Sequence, residues 1–95
     1  MFSSVGEYSK AEEYLHKALT IKTRIGDRDG EASCYINLGA VFGSVGEYAK
    51  AEEYLHKALT ISTEIGDREE EATCYRNLGA VFQSVGEYAL SLIHI

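Results

Sequence analysis

The chain has 95 residues, 45% of them apolar and 25% charged, which lies within the range of a soluble globular domain. Nine Lys and Arg against fifteen Asp and Glu leave a net charge of −6; nucleic acid and anionic membrane surfaces, which need clustered cations, are excluded as main partners. No apolar run approaches the roughly 20 residues of a membrane-spanning helix, and Met1-Phe2-Ser3-Ser4 carries neither the basic patch nor the apolar stretch of a secretory signal, so a cytoplasmic location with Cys34 and Cys74 as reduced thiols is the expectation.

Internal repetition dominates the sequence. Val5 to Ser44 and Val45 to Ser84 are two copies of one 40-residue unit that differ at eight positions, and Val85 opens a third copy as Val-Gly-Glu-Tyr-Ala. Met1–Ser4 aligns with Val41–Ser44, so the chain is expected to begin inside the last turn of an earlier helix. The first helix is predicted over Tyr8–Ile25, the second over Arg28–Ser44, the third over Tyr48–Ile65 and the fourth over Arg68–Ser84. In the third, Ala51, Tyr54, Leu55, Ala58, Leu59, Ile61 and Ile65 recur at spacings of three and four, one stripe on a 3.6-residue helix. Glu47, Glu52 and Glu53 favour its positive N-terminal dipole end, and Glu53 with Lys57 makes a well-oriented i,i+4 pair. Gly66 supplies the left-handed residue that ends a helix. Asp67 then caps the fourth, with Glu70 three residues on completing a capping box. The stripe of the fourth helix is Ala72, Tyr75, Leu78, Gly79 and Phe82, and Gly86 is expected to turn the chain after it. Gly39 and Gly79 are read as letting a partner helix approach closely, matched by Ala51 and Ala58 opposite. Period-two alternation is lacking, so strands are not expected.

After Ala89 the repeat stops. Lys-Ala-Glu-Glu-Tyr-Leu of the second copy is replaced by Leu90-Ser91-Leu92-Ile93-His94-Ile95, and an array should end in a polar capping helix rather than an apolar one. Leu90–Ile95 is therefore read as a non-native tail; the alternative is a genuine apolar terminus that docks on a partner. Two units with open ends fall short of the three or so that such arrays need, so marginal stability is expected.

Tyr35-x-x-Leu38-Gly39-x-x-Phe42 followed by Gly46-x-Tyr48-x-x-Ala51-x-x-x-Leu55-x-x-Ala58, matched again from Tyr75 through Gly86 and Tyr88 to Ala89, resembles the tetratricopeptide repeat. Tyr stands where that family usually has its first tryptophan, Thr63 stands where a proline often ends the unit, and the unit is longer than the usual 34 residues or so. The 40-residue form with Ile-Gly-Asp-Arg between units is similar to the G-protein-signalling modulators and to long arrays in sensor proteins linked to NTPase or caspase-like domains. The resemblance covers residues 1 to 89. It implies an all-α superhelical array of antiparallel helix pairs, an α-solenoid, that binds a protein or peptide and is not an enzyme.

Chemistry-bearing residues point the same way. Cys34 and Cys74 occupy equivalent places on helices roughly 8–10 Å apart, too far for an unstrained disulfide, and are read as buried small residues. One His (His16, His56) and one Cys per 40 residues cannot gather into a zinc tetrahedron, and the glycines punctuate helices rather than cradle phosphate, so no cofactor, metal or catalytic residue is expected. The run Glu69-Glu70-Glu71 is explained by dipole and capping, with a docking patch for a basic segment as the alternative. The copies differ at Ser33/Thr73, Ile36/Arg76 and Gly43/Gln83 on one face of the second helix type, away from Tyr35, Leu38 and Phe42. By resemblance this face lines a concave peptide groove, completed by Ala40/Ala80 and Ser44/Ser84 with Asn37/Asn77 at its border. Arg76 is expected to grip a carboxylate or carbonyl of the ligand, and Ile36 to meet an apolar side chain. The other differences (Ser9/Ala49, Lys22/Ser62, Arg24/Glu64, Asp29/Glu69, Gly30/Glu70) fall on exposed faces or helix ends. Besides the binding module, two further roles fit: a regulatory segment of a larger NTPase or protease, and a spacer that self-associates end to end.

Overall fold

The computed structural model describes residues 5–93. Four helices follow one another: α1 Val5–Ile25, α2 Arg28–Ser44, α3 Tyr48–Ile65 and α4 Arg68–Ile93. The described residues contain no strand. The expected helix end at Met1–Ser4 lies outside them, as do His94 and Ile95.

The three turns share one geometry because they share one sequence feature. Gly26, Gly46 and Gly66 hold φ of +77°, +84° and +76°, a region that costs glycine nothing. One residue further on, the amide of Asp27, Glu47 or Asp67 donates back to the carbonyl of Lys22, Phe42 or Ser62 at 2.9 to 3.0 Å, which satisfies carbonyls the helix end would leave bare. Asp27 and Asp67 then accept from the amides of Gly30 and Glu70 at 2.9 and 3.0 Å and start α2 and α4. Only half of the expected capping box forms. The Glu70 carboxylate turns away from the Asp67 amide, which is already donating to Ser62, and reaches Ser33 and Ser62 instead.

Packing is sequential: α1 lies on α2, α2 on α3 and α3 on α4, with a narrow contact between α2 and α4. The particle measures 50 × 30 × 21 Å. Two adjoining clusters form the core, Leu38, Phe42, Ala51, Leu55, Leu78 and Val81 in one, Ala32, Ala58, Ile61 and Cys74 in the other. Both belong to α2, α3 and α4. Their centre is the α2–α3 contact, where a Cβ on Gly39 would stand 2.8 Å from Leu55 Cγ and 3.3 Å from the Ala51 carbonyl. Beside it Tyr54 stacks on Phe42 and Tyr35 with ring centroids 5.5 and 5.9 Å away, an offset aromatic geometry that adds to burial.

Three expectations fail, each because a neighbouring helix, by its presence or absence, decides what a repeat's residues do. First, α4 does not turn at Gly86 but runs through it to Ile93. The segment after Gly46 folds back because Ala51 and Leu55 have α2 to bury against. After Gly86 those positions hold Ser91 and, beyond the described residues, Ile95, so folding back buries little and the helix continues despite the roughly 1 kcal/mol that an interior glycine costs. Second, of the stripe assigned to α4 only Leu78 is buried; Ala72, Tyr75, Gly79 and Phe82 stand open, and the inner face is Cys74, Leu78 and Val81. Third, Lys57 forms no ion pair with Glu53, since α2 offers it the Tyr35 ring and it sits 5.6 and 5.7 Å from the centroids of Tyr35 and Tyr54. The same pair does form in α1, where Lys17 lies 3.9 Å from Glu13 and no helix covers that face. The stripe of α3 is buried as expected except at its end, where Ile65 is exposed. Leu90, Leu92 and Ile93 are exposed on the α4 extension.

Candidate functional site

Between α2 and α4, which meet only narrowly, the side chains leave open space. Small side chains there leave a hollow of about 210 Å³, walled by Gly39, Ala40, Gly43 and Ser44 of α2, Asn77, Ala80, Val81 and Ser84 of α4, and floored by Tyr48 and Leu55. Six of the residues singled out from the sequence meet here: Ala40, Gly43, Ser44, Asn77, Ala80 and Ser84. A second hollow of about 250 Å³ opens toward the start of α4, lined by Ile36, Asp67, Glu69, Glu70 and Thr73.

Ser33 lines neither hollow; its hydroxyl donates to Glu70 at 3.1 Å, tying α2 to α4. Asn37, Arg76 and Gln83 are exposed and also line neither. Arg76 forms no ion pair among the described residues. Ile36 lines the second hollow. It is half-buried against the cluster of Ala32, Ala58, Ile61 and Cys74, because α4 brings Cys74 to it.

Glu70 is the residue that sequence reasoning missed. Besides Ser33 it meets Ser62, whose hydroxyl, completely buried, lies 3.3 Å from the Glu70 carboxylate and 2.9 Å from the Ala58 carbonyl. Loss of water raises the Glu70 carboxyl above its ordinary value; Ser33 and Ser62 pull it down, and Asp29 pushes it up. Oxygens of Asp29, Asp67 and Glu70 lie within 4.8 Å of one another, Asp67 capping α4 and Glu70 joining the serines. In the first unit the same place is filled differently. Lys22 leans over Gly30, where a Cβ would stand 2.5 Å from Lys22 Cδ, and its ammonium lies 3.1 Å from Asp27. The hydrogen bond from Gly30, and then Lys22, hold the Asp27 carboxyl below its usual value. The differences Lys22/Ser62 and Gly30/Glu70 are thus one exchange, a long side chain over a bare helix traded for a short one under a long one. Position 62, expected on an exposed face or near a helix end, is instead completely buried, because the Glu70 side chain and α4 cover it.

Cys34 and Cys74 are both buried and free, and burial pushes both thiols up, away from the reactive thiolate. His16 and His56 each lie 3.8 Å from a glutamate one turn earlier, Glu12 and Glu52. None of the described helices is long and apolar enough to cross a membrane.

A family model described as Tetratricopeptide repeat matches the chain at two overlapping stretches, residues 2–51 and 43–94. Comparison with curated proteins gives no match.

Proposed function

The chain belongs to the tetratricopeptide-repeat family, whose repeats are non-catalytic and mediate contacts between proteins, and from that premise we propose that it holds a segment of a partner protein in the concave groove between α2 and α4, in the cytoplasm. The hollow between Ala40–Ser44 and Asn77–Ser84 supports this reading. Apart from Asn77 and Val81 its walls are glycine, alanine and serine, so a peptide backbone can come close, and Tyr48 and Leu55 give it a largely apolar floor. The Asn77 amide, half-exposed at the wall, offers a donor and an acceptor to that backbone. Toward the start of α4 the second hollow turns acidic through Asp67, Glu69 and Glu70, which favours a ligand with a basic side chain at that end. Arg76, one unit on from Ile36 and free of other ion pairs, takes a carboxylate further along the same ligand.

Peptides selected on the chain from a displayed random library test the proposal. Ala80→Leu fills the hollow from an exposed position and leaves the core untouched. It is expected to weaken the selected peptides at least about tenfold, a loss of roughly 1.4 kcal/mol, at unchanged helicity, and Arg76→Glu with Gln83→Ala is expected to weaken them without unfolding. Equal binding to Ala80→Leu would refute the groove.

A further inference from the structure

One interface inside the chain is a template for a contact outside it. α2 and α3 meet through Tyr35, Gly39 and Phe42 on one side and Ala51, Tyr54 and Leu55 on the other. Among the described residues each half occurs a second time with its aromatic residues uncovered, although Ala11 and Leu15 on α1 are half-buried, Leu15 against the Leu38–Phe42 cluster. The α2 half recurs on α4 as Tyr75, Gly79 and Phe82, where Tyr75 is 58% and Phe82 56% exposed and a Cβ on Gly79 would meet nothing within 4 Å. The α3 half recurs on α1 as Ala11, Tyr14 and Leu15, with Tyr14 67% exposed. All six residues are identical to their counterparts, so the shapes are already known to fit.

We infer that the open face of α4 takes α1 of a second copy of this chain, so that chains add head to tail in the register that α2 and α3 hold within one. Continuity with the internal interface selects the occupant: Gly79 admits Leu15 of the second copy as Gly39 admits Leu55, and Tyr14 stacks between Tyr75 and Phe82. Lys10 comes over Phe82 as Lys50 lies over Phe42 at 5.2 Å. The two faces are different surfaces, so the contact is heterologous and does not close on itself; it propagates beyond a dimer. One difference weakens the junction. Inside the chain Arg28 pairs with Glu64; at the junction the corresponding residues are Arg68 and Arg24, like charges brought together.

Sedimentation velocity on the full chain over a concentration series tests the inference. Wild type is expected to grow past the dimer as concentration rises. Gly79→Ala fills the space that Leu15 would enter while helping the isolated helix, and is expected to weaken association at least about tenfold with melting temperature no lower than wild type. Arg24→Glu recreates the Arg–Glu pair and is expected to strengthen association several-fold. Tyr14→Asp blocks the α1 face. Mixing it with Gly79→Ala is expected to give a one-to-one dimer that neither forms alone, because each keeps one good face. Association unchanged by Gly79→Ala, no dimer in the mixture, or a wild type that stays monomeric at the highest concentration would each overturn the inference. So would association lost on Leu92→Lys with Ile93→Lys, since the α4 extension and not the face would then be responsible. None of these results depends on groove binding, which Ala80→Leu reads separately.

Discussion

The same substitution at two equivalent positions should change stability in opposite directions. Gly39 and Gly79 occupy the same place in the repeat, and alanine in a helix interior is favoured over glycine by about 1 kcal/mol. At position 79 nothing lies within 4 Å of the new methyl, so Gly79→Ala should gain most of that, about 0.5–1 kcal/mol. At position 39 the methyl would stand 2.8 Å from Cγ of a fully buried Leu55 and 3.3 Å from the backbone oxygen of Ala51. Neither can swing aside, since one is packed in the core and the other is main chain. Overpacking of this kind costs about 1–3 kcal/mol, which exceeds the propensity gain and leaves Gly39→Ala destabilised by about 1–2 kcal/mol. For a domain of this size 1 kcal/mol moves the melting temperature by roughly 4–8 °C, so the two variants should melt 10 °C or so apart, on either side of wild type. Thermal melts followed by far-ultraviolet circular dichroism, at concentrations below those at which chains associate, give the answer. Equal shifts of the same sign would refute the claim that α2 and α3 are locked at Gly39 while α4 stands uncovered at Gly79.

Two further outcomes follow from the exchange between the units. Glu70 has a folded-state pKa above its ordinary value, so its contribution is fully present below about pH 4.5 and is lost as pH rises through the raised value; Glu70→Gln, which keeps an acceptor for Ser33, should melt above wild type at neutral pH and level with it in acid, and a constant offset across pH would contradict the assignment. Gly30→Ala should destabilise the wild type, where its methyl meets both Lys22 and the Asp27 carboxylate, and cost less in a Lys22→Ser background, where only the Asp27 contact remains, with a coupling of about 0.5–1.5 kcal/mol in a denaturant double-mutant cycle; strictly additive effects would show that the two positions do not share a site.

Much of the architecture can be read from the period alone. Val5–Ser44 repeated as Val45–Ser84 fixes the alternation of helix types, and Gly26, Gly46 and Gly66 with Asp27 and Asp67 fix the turns, because left-handed geometry and capping are local chemistry. The C-terminal ends of α1, α2 and α3 match what those residues dictate, whereas α1 begins at Val5 rather than at the expected Tyr8. What could not be read is anything set by a neighbour. Gly86 is the same residue as Gly46 in the same context, yet it lies within a helix, since Ser91 stands where Ala51 did and folding back on α4 would bury little. Lys57 and Lys17 are equivalent and each lies over the tyrosine three residues before it, yet Lys57 also covers Tyr35 of α2 while Lys17 pairs with Glu13. Of the residues singled out, those at 40, 43, 44, 77, 80 and 84 line one hollow, and helical spacing had put those of each helix on one face. The commitment of Ser33 to Glu70 and the half-burial of Ile36 depend on how closely α4 approaches α2, and spacing along one helix does not carry that distance.

The exchange between Lys22 with Gly30 and Ser62 with Glu70 also bears on how such an array can change its length. Tandem copies this alike can recombine out of register, fusing the front of one unit to the back of another. A breakpoint before position 22 or after position 30 inherits both partners from one parent, and the hybrid unit is as well filled as either. A breakpoint between them sets the lysine stem against a side chain at the old glycine, or leaves a serine facing a glycine with nothing in between. The nine residues from 22 to 30, rather than the 40 of the visible period, are therefore the piece that must be inherited whole.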